Sequence, residues 1–216
     1  MKSIKPTVEH KSLGQSVESA IEFLKKDSKM NQLIRIYDPP ILKPQEDYFY
    51  SLVRSIVFQQ LNGKVAKIIF MRFIRLLPRN IIKPSQVLMV DNNEMKKAGL
   101  SFQKINYIKN LAHFFKKNLF DKNSIEKMSD KEISELLIEI KGVGQWTIDM
   151  FLMFTLNRLD VMPYSDLGIK KGMKSLFSLN ELPRIHEMNR LSANWSPYRT
   201  IACMYLWKSV DDGFEW

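Results

Sequence analysis

Apolar residues recur at helical spacing along nearly the whole chain, and that periodicity limits the fold more than any other feature. Phe49, Leu52, Val53, Ile56 and Val57 fall at i, i+3, i+4, i+7 and i+8, one face of an amphipathic helix. Val65, Ile68, Ile69, Phe73, Leu76 and Leu77 repeat the pattern until Pro78 stops it. Ile105, Ile108, Leu111, Ala112 and Phe115 form another stripe, with Ser101 placed to cap it. Ile133, Leu136 and Leu137 follow a cap at Ser129-Asp130, and further helices are expected from near Val143, Leu167, Pro183 and Pro197. Convincing strand alternation is absent. The pattern predicts an all-α fold of roughly ten short helices, with proline and glycine between them. Pro39-Pro40 and Pro44 separate an N-terminal helical segment from the Phe49 helix, and Pro163 lies in a later loop.

A chain of 216 residues, 45% hydrophobic and 11% aromatic, has enough apolar surface to bury a core as one domain or two small lobes. The single cysteine, Cys203, excludes an intrachain disulfide, a Cys-rich zinc site and a Cys-ligated iron–sulfur cluster. Met1-Lys2-Ser3-Ile4-Lys5-Pro6 lacks the apolar core of a signal peptide, and no run approaches the roughly 20 apolar residues of a membrane span. An intracellular protein without a membrane partner is expected, in the cytoplasm or nucleoid, or in a nucleus. The formal net charge of +10 suits nucleic acid, an anionic membrane or an acidic partner; nucleic acid is favoured over the others and over a merely well-solvated surface.

The most informative segment is Leu136-Leu137-Ile138-Glu139-Ile140-Lys141-Gly142-Val143-Gly144-Gln145-Trp146-Thr147. A helix ends, a Gly-x-Gly turn follows, and a second helix begins. Glycines allow positive φ and close approach of another backbone. The new helix presents unpaired N–H groups beside Lys141, which suits a phosphate. From these residues alone, a plain helical corner with a glycine cap is the better account. Asp166 reads the same way: from the residues alone a helix cap before Leu167 is the better account, and a carboxylate for chemistry is the alternative.

Four blocks in order carry a resemblance. Ile140-Lys141-Gly142-Val143-Gly144-Gln145-Trp146-Thr147 resembles the helix-hairpin-helix of the base-excision DNA glycosylases, the HhH-GPD superfamily. Val161-Met162-Pro163-Tyr164-Ser165-Asp166-Leu167 is similar to that family's Pro-rich loop with its catalytic Asp. Ser55-Ile56-Val57-Phe58-Gln59-Gln60-Leu61-Asn62-Gly63-Lys64 resembles its DNA-facing segment. Trp195-Ser196-Pro197-Tyr198-Arg199 and Tyr205-Leu206-Trp207 resemble its C-terminal helix. The likeness runs from about Phe49 to Trp207, nearest to the compact 3-methyladenine type II branch.

The resemblance implies a single domain over 1–216 with two helical lobes flanking a DNA cleft, 46–164 and 1–45 plus 165–216. It implies a monofunctional glycosylase of base excision repair that flips and hydrolytically releases alkylated purines of the 3-methyladenine and 7-methylguanine type. Double-stranded DNA is the partner, and a monomer is expected. Asp166 is the implied catalytic carboxylate, with Asp149 and Asp160 as contrasting aspartates without that role. Trp146, Met150 and Trp207 map to the base pocket, where a cationic alkylated base would stack on indole. Bifunctional members carry a lysine where Trp146 stands, and an indole cannot form their Schiff base. Gln60 maps to the wedge that fills the vacated stack, with Leu61 as its neighbouring alternative. Gln59 is expected to be structural, and Asn62 to cap the next helix.

The backbone at Gly142, Gly144 and Trp146, the Thr147 hydroxyl and Lys141 would hold phosphate. The carbonyls of Ile138, Ile140 and Val143 match those that hold a structural Na+ or K+ in the family; no cofactor is required. Lys170, Lys171 and Lys174 would track the DNA backbone or form a solvated face. His10, His113 and His186 show no metal spacing. Two other functions fit the same sequence: a non-catalytic DNA-binding hairpin protein, and a glycosylase for hypoxanthine or uracil.

Overall fold

The structure is a computed structural model that describes residues 8–43, 45–117 and 122–210. Pro44, the Met1–Pro6 segment and the His10 side chain lie outside the described residues. The described residues form helices and no strand, as the periodicity predicts. In chain order these are α1 (Val8–Leu24), α2 (Ser28–Ile36), α3 (Tyr48–Phe58), α4 (Gly63–Ile74), α5 (Pro84–Met89), α6 (Asn92–Lys97) and α7 (Phe102–Lys117). Then come α8 (Lys122–Lys127), α9 (Asp130–Ile138), α10 (Gln145–Phe154), α11 (Leu167–Leu176), α12 (Ile185–Leu191) and α13 (Arg199–Val210). Short 3-10 turns occupy Pro78–Asn80 and Ala193–Trp195. The count exceeds the expected one because α5, α6 and α8, of six residues each, are too short to show a periodic stripe.

The chain divides into two compact units: Gln45–Phe151, and Met1–Pro44 with Leu152–Trp216. The sequence reading draws the hairpin lobe over 46–164; the structure groups residues 152–164 with the terminal segments instead. The division falls inside α10, a helix whose continuous periodicity gives no sign of it.

In the unit of residues 45–151, α7 is the central helix. Ile105, Ile108, Leu111 and Ala112 are fully buried, and α3, α5 and α6 pack on it. On α3, Leu52, Val53, Ile56 and Val57 are equally buried. Side-chain caps set the helix starts. Asp47 accepts from Tyr50 N–H, Asn62 from Lys64 N–H, Asp91 from Asn93 and Glu94 N–H, and Ser101 from Lys104 N–H. Ser129 and Glu132 form a reciprocal capping box on α9.

One predicted stripe is corrected in part: Phe73 and Leu77 are buried as expected, but its first members are not. Val65 and Ile68 of α4 are 47% and 53% exposed, and Ala66, Phe70, Phe73 and Ile74 face the core. Two apolar stripes run along this helix. The one that buries two phenylalanine rings removes more apolar area from water, and periodicity alone does not choose between them.

In the other unit α13 is buried on every side over Thr200–Trp207, as suits a helix surrounded by others. It packs against α11, α2 and α1. Among the described residues no helix is long and apolar enough to cross a membrane. No cluster of three or more His, Cys, Asp or Glu is placed to hold a metal there either.

These burials predict a contrast in urea unfolding. Ile108→Ala should cost about 2–5 kcal/mol, whereas Ile68→Lys should shift stability by no more than about 0.5 kcal/mol. A large loss at Ile68 would show that the α4 face is covered.

Candidate functional site

The hairpin starts where α9 runs out of helical partners. Ile140 N–H donates to Leu137 O at 3.1 Å, and Val143 N–H to Ile140 O at 2.9 Å. Gly142 lies at φ +107°, and a Cβ there would sit 2.1 Å from the Tyr107 ring. The position therefore needs glycine twice, for its backbone conformation and for the close approach of α7. Gly144 has no atom within 4 Å of its would-be Cβ, and its carbonyl accepts from Ile148 N–H, so it stands at the open N-terminal end of α10. Lys141, Gly144 and Gln145 are exposed. The start of α10, where the first N–H groups of a helix lack intrahelical partners, is thus exposed at Gly144 and Gln145, three residues after an exposed lysine.

Thr147 departs from expectation. Its side chain is fully buried, and its hydroxyl accepts from Gln59 Nε2 at 2.8 Å. One turn of helix carries it to the inner face, so the hydroxyl is not presented to phosphate. Gln59 also donates to Gly142 O at 3.1 Å, which ties the end of α3 to the hairpin. Its expected structural role is what the geometry shows.

Directly after Gln59 the chain makes a type II turn. Gln59 (φ −48°, ψ 129°) and Gln60 (φ +55°) are its central residues, and Leu61 N–H donates to Phe58 O at 3.3 Å. The second central position usually takes glycine, because a side chain is strained there. Gln60 occupies it with its side chain exposed, and Leu61 is 39% exposed.

Trp146 is half-buried, whereas Met150, one turn on, is only 1% exposed and lies in the core. Asp149 is buried and accepts from Gln145 Nε2 at 2.8 Å, one turn earlier in the same helix.

In the other unit, Asp166 is the N-cap of α11, and its Oδ1 accepts from Ile169 N–H at 2.8 Å. The same oxygen accepts from Trp207 Nε1 at 2.9 Å. Sequence reasoning treats Trp207 as a stacking face. Here it is 3% exposed, packs beside Phe154 with ring centroids 5.7 Å apart, and places its N–H on the carboxylate. Gly168 makes this contact possible, since a Cβ there would sit 2.8 Å from Trp207 Cδ1 and 3.0 Å from Asp166 Oδ1.

The loop that delivers Asp166 is fastened to the start of α13. Thr200 Oγ1 accepts from Val161 N–H at 3.0 Å and donates to Arg158 O at 2.6 Å, and Thr200 N–H donates to Leu159 O at 2.9 Å. Asp160 takes a two-pronged bond from Arg199, at 2.7 and 2.8 Å, and a third from Ser196 Oγ at 2.8 Å. Burial works against the Asp160 anion, but the bonds from Arg199 and Ser196 outweigh it and hold its pKa below the ordinary 3.8. Asp160 is therefore structural, as its place outside the motif implies.

Tyr107 under the hairpin and Thr200 behind the loop were not singled out from the sequence. Nothing in their local pattern marks them, because each acts on a segment far away in the chain. His113 and His186 are exposed, as is Lys171; Lys170 and Lys174 are half-buried.

The chain is similar to known proteins in sequence and fold. Residues 53–197 match the HhH-GPD superfamily base excision DNA repair protein family. The chain is 34% identical over 187 residues to the alkylbase DNA glycosidase-like protein mag2 of Schizosaccharomyces pombe, covering 84% of this chain and 88% of that protein. It superposes on the S. pombe 3-methyladenine DNA glycosylase (Mag1), solved in complex with abasic DNA, with a TM-score of 0.84 at 32% identity. That match covers 91% of this chain and all (100%) of the other. A DNA-3-methyladenine glycosidase from Bacillus halodurans matches with a TM-score of 0.72 at 36% identity, covering 87% of each chain.

Two outcomes follow. Gly142→Ala should cost about 3 kcal/mol in urea unfolding, from the positive φ and the Tyr107 collision together. Asp160→Asn should cost about 1 kcal/mol at neutral pH. Because the folded pKa of Asp160 is depressed, that difference is present above 3.8 and should vanish as pH falls through the lower folded value. A gap between wild type and variant that persists in strong acid would contradict the pairing.

Proposed function

The chain belongs to the HhH-GPD superfamily of base excision DNA repair proteins, and from that premise we propose that it is a monofunctional DNA glycosylase for alkylated purines. It extrudes a 3-methyladenine- or 7-methylguanine-type base from duplex DNA, hydrolyses the N-glycosidic bond and leaves an intact abasic site. The observation that carries this reading is the Asp166 carboxylate, held on one oxygen by both the α11 backbone and the Trp207 indole. A helix cap alone needs no indole donor. A carboxylate that must meet a reacting sugar gains from a fixed orientation. The relatives that carry glycosylase or glycosidase names support the same substrate class.

As the base leaves, C1′ of the sugar becomes electron-poor. Asp166 stabilises that centre and accepts a proton from the water that attacks it. The alkylated base departs as a neutral molecule, since alkylation has already given it a positive charge, so no strong general acid is needed. Trp146 offers the stacking face for that cation, while Trp207 serves through its N–H. No amine stands at the Trp146 position, so no Schiff base forms and the strand stays whole.

Gln60 or Leu61 fills the space left in the stack. The hairpin N–H groups at Gly142, Gly144 and Trp146, with Lys141, hold a phosphate near the lesion. The hairpin carbonyls fit a monovalent cation by donor chemistry: they are hard oxygens, and those of Ile138 and Val143 take no backbone N–H among the described residues. Ile140 O already accepts from Val143 N–H and has one lone pair left. Such an ion would link the hairpin to phosphate and takes no part in the chemistry. The protein acts as a monomer on DNA inside the cell.

Incubation with methylated duplex DNA should release methylpurines, with strand breaks only after alkali. Asp166→Asn should lower single-turnover release about a hundredfold or more. Breaks without alkali would overturn the monofunctional assignment. DNA binding with no base released, across a panel that includes hypoxanthine and uracil, would favour a non-catalytic DNA-binding protein.

A further inference from the structure

Lys104 lies in the first turn of α7, where its charge opposes that helix's own dipole. It does not point into solvent. Its Nζ donates to Val57 O at 2.7 Å and to Gln59 O at 2.8 Å. These carbonyls lie at the C-terminal end of α3, where unsatisfied acceptors and the negative end of the dipole favour a cation. The side chain is half-buried, and burial pushes the ammonium pKa below its usual range, so some solvation has been given up for the contact.

Gln59 O belongs to the type II turn that carries Gln60 at positive φ. The Gln59 side chain is fixed to the hairpin through Gly142 O and Thr147 Oγ1. The turn is therefore gripped from two directions, by a lysine on its carbonyl and by the hairpin on its carboxamide. The side chains it displays, Gln60 and Leu61, remain exposed.

We propose that Lys104 is a positioning residue for base extrusion, clamping the α3 terminus so that Gln60 and Leu61 are held ready to enter the duplex. The inference rests on the reading of those two residues as the wedge. A non-glycine residue at positive φ persists only where its surroundings enforce it. Without the clamp, the turn relaxes toward ordinary conformations, and ordering it again falls on the extrusion step. The loss should therefore appear in extrusion and not in binding to DNA that lacks a base.

The test compares the full chain with Lys104→Met, Lys104→Arg, Gln60→Ala/Leu61→Ala and the triple variant. Four readouts are needed: thermal melting, affinity for a duplex with a tetrahydrofuran abasic analogue, fluorescence of 2-aminopurine at the extruded position, and single-turnover release of 7-methylguanine. Lys104→Met should melt close to the wild type and bind the abasic duplex within about threefold. It should lose about tenfold in release rate and most of the fluorescence rise, the weight of a lost bond from a charged donor. Lys104→Arg should recover most of both, and Lys104→Met should add nothing on top of the wedge substitutions.

Equal losses in abasic affinity and release, no loss at all, or a Lys104→Met chain too unstable to assay would each overturn the inference and leave the lysine a general or purely structural part. Full release and fluorescence from Gln60→Ala/Leu61→Ala would instead overturn the wedge reading, and the inference with it. If the wild type releases neither 7-methylguanine nor any other base of the panel, the glycosylase reading falls, while 2-aminopurine fluorescence still decides the clamp.

Discussion

The Gln59 carboxamide donates to Gly142 O and to the Thr147 hydroxyl, joining segments more than eighty residues apart in the chain. Much of what the hairpin unit presents depends on that pair of bonds. They fix the turn that displays Gln60 and Leu61 to the turn that displays the α10 N-terminus. Two turns distant in the chain are thus held together as one element. The partners are part-buried polar groups, and leaving either unmatched would cost more than the bond itself contributes. Thr147 is accordingly an internal acceptor, and under the proposed function phosphate binding falls to backbone N–H groups. Amide groups are fixed by the helix and lose no side-chain freedom on binding.

In the other unit a single carboxylate does two jobs. Asp166 caps α11, and the same oxygen takes the Trp207 indole N–H. The cap fixes where the carboxylate begins, the indole fixes how it is turned, and Gly168 leaves room for both. Asp160, six residues earlier, has the same chemistry but is engaged by Arg199 and Ser196. Asp149 is engaged within α10. Three aspartates of one chemical type are separated in role by their neighbours alone. The fastening of residues 158–161 to Thr200 matters for the same reason, since orientation at Asp166 is only as good as the loop that carries it.

Much of this was legible in the residues. The stripes at Phe49–Val57 and Ile105–Ala112 fix helices because apolar side chains at i, i+3 and i+4 can share a core only in that conformation. Asn62, Ser101 and Ser129 cap where they stand because capping is local chemistry. The order of the Gln-Gln-Leu, Gly-Val-Gly and Pro-Tyr-Ser-Asp blocks identified the family, since each block is contiguous in sequence. α4 shows the limit. It carries two apolar stripes, and which one is buried depends on the shape of the surface it meets, not on its own period.

What tertiary structure decided is the set of contacts between residues distant in sequence. Trp207 could be read only as an aromatic suited to stacking. That its N–H reaches Asp166 follows from how α13 packs on α11. Nothing in its local pattern distinguishes Lys104, and the fold alone brings the end of α3 to its ammonium. Met150 and Thr147 sat in a motif that pointed to DNA, and helix rotation turned both inward. The sequence by itself determined the helices, their caps and the order of the blocks that mark the family, because those depend on neighbours along the chain. Orientation, clamping and burial waited for the fold, because a hydrogen bond forms only between groups brought within about 3 Å of each other, and local pattern does not encode that distance.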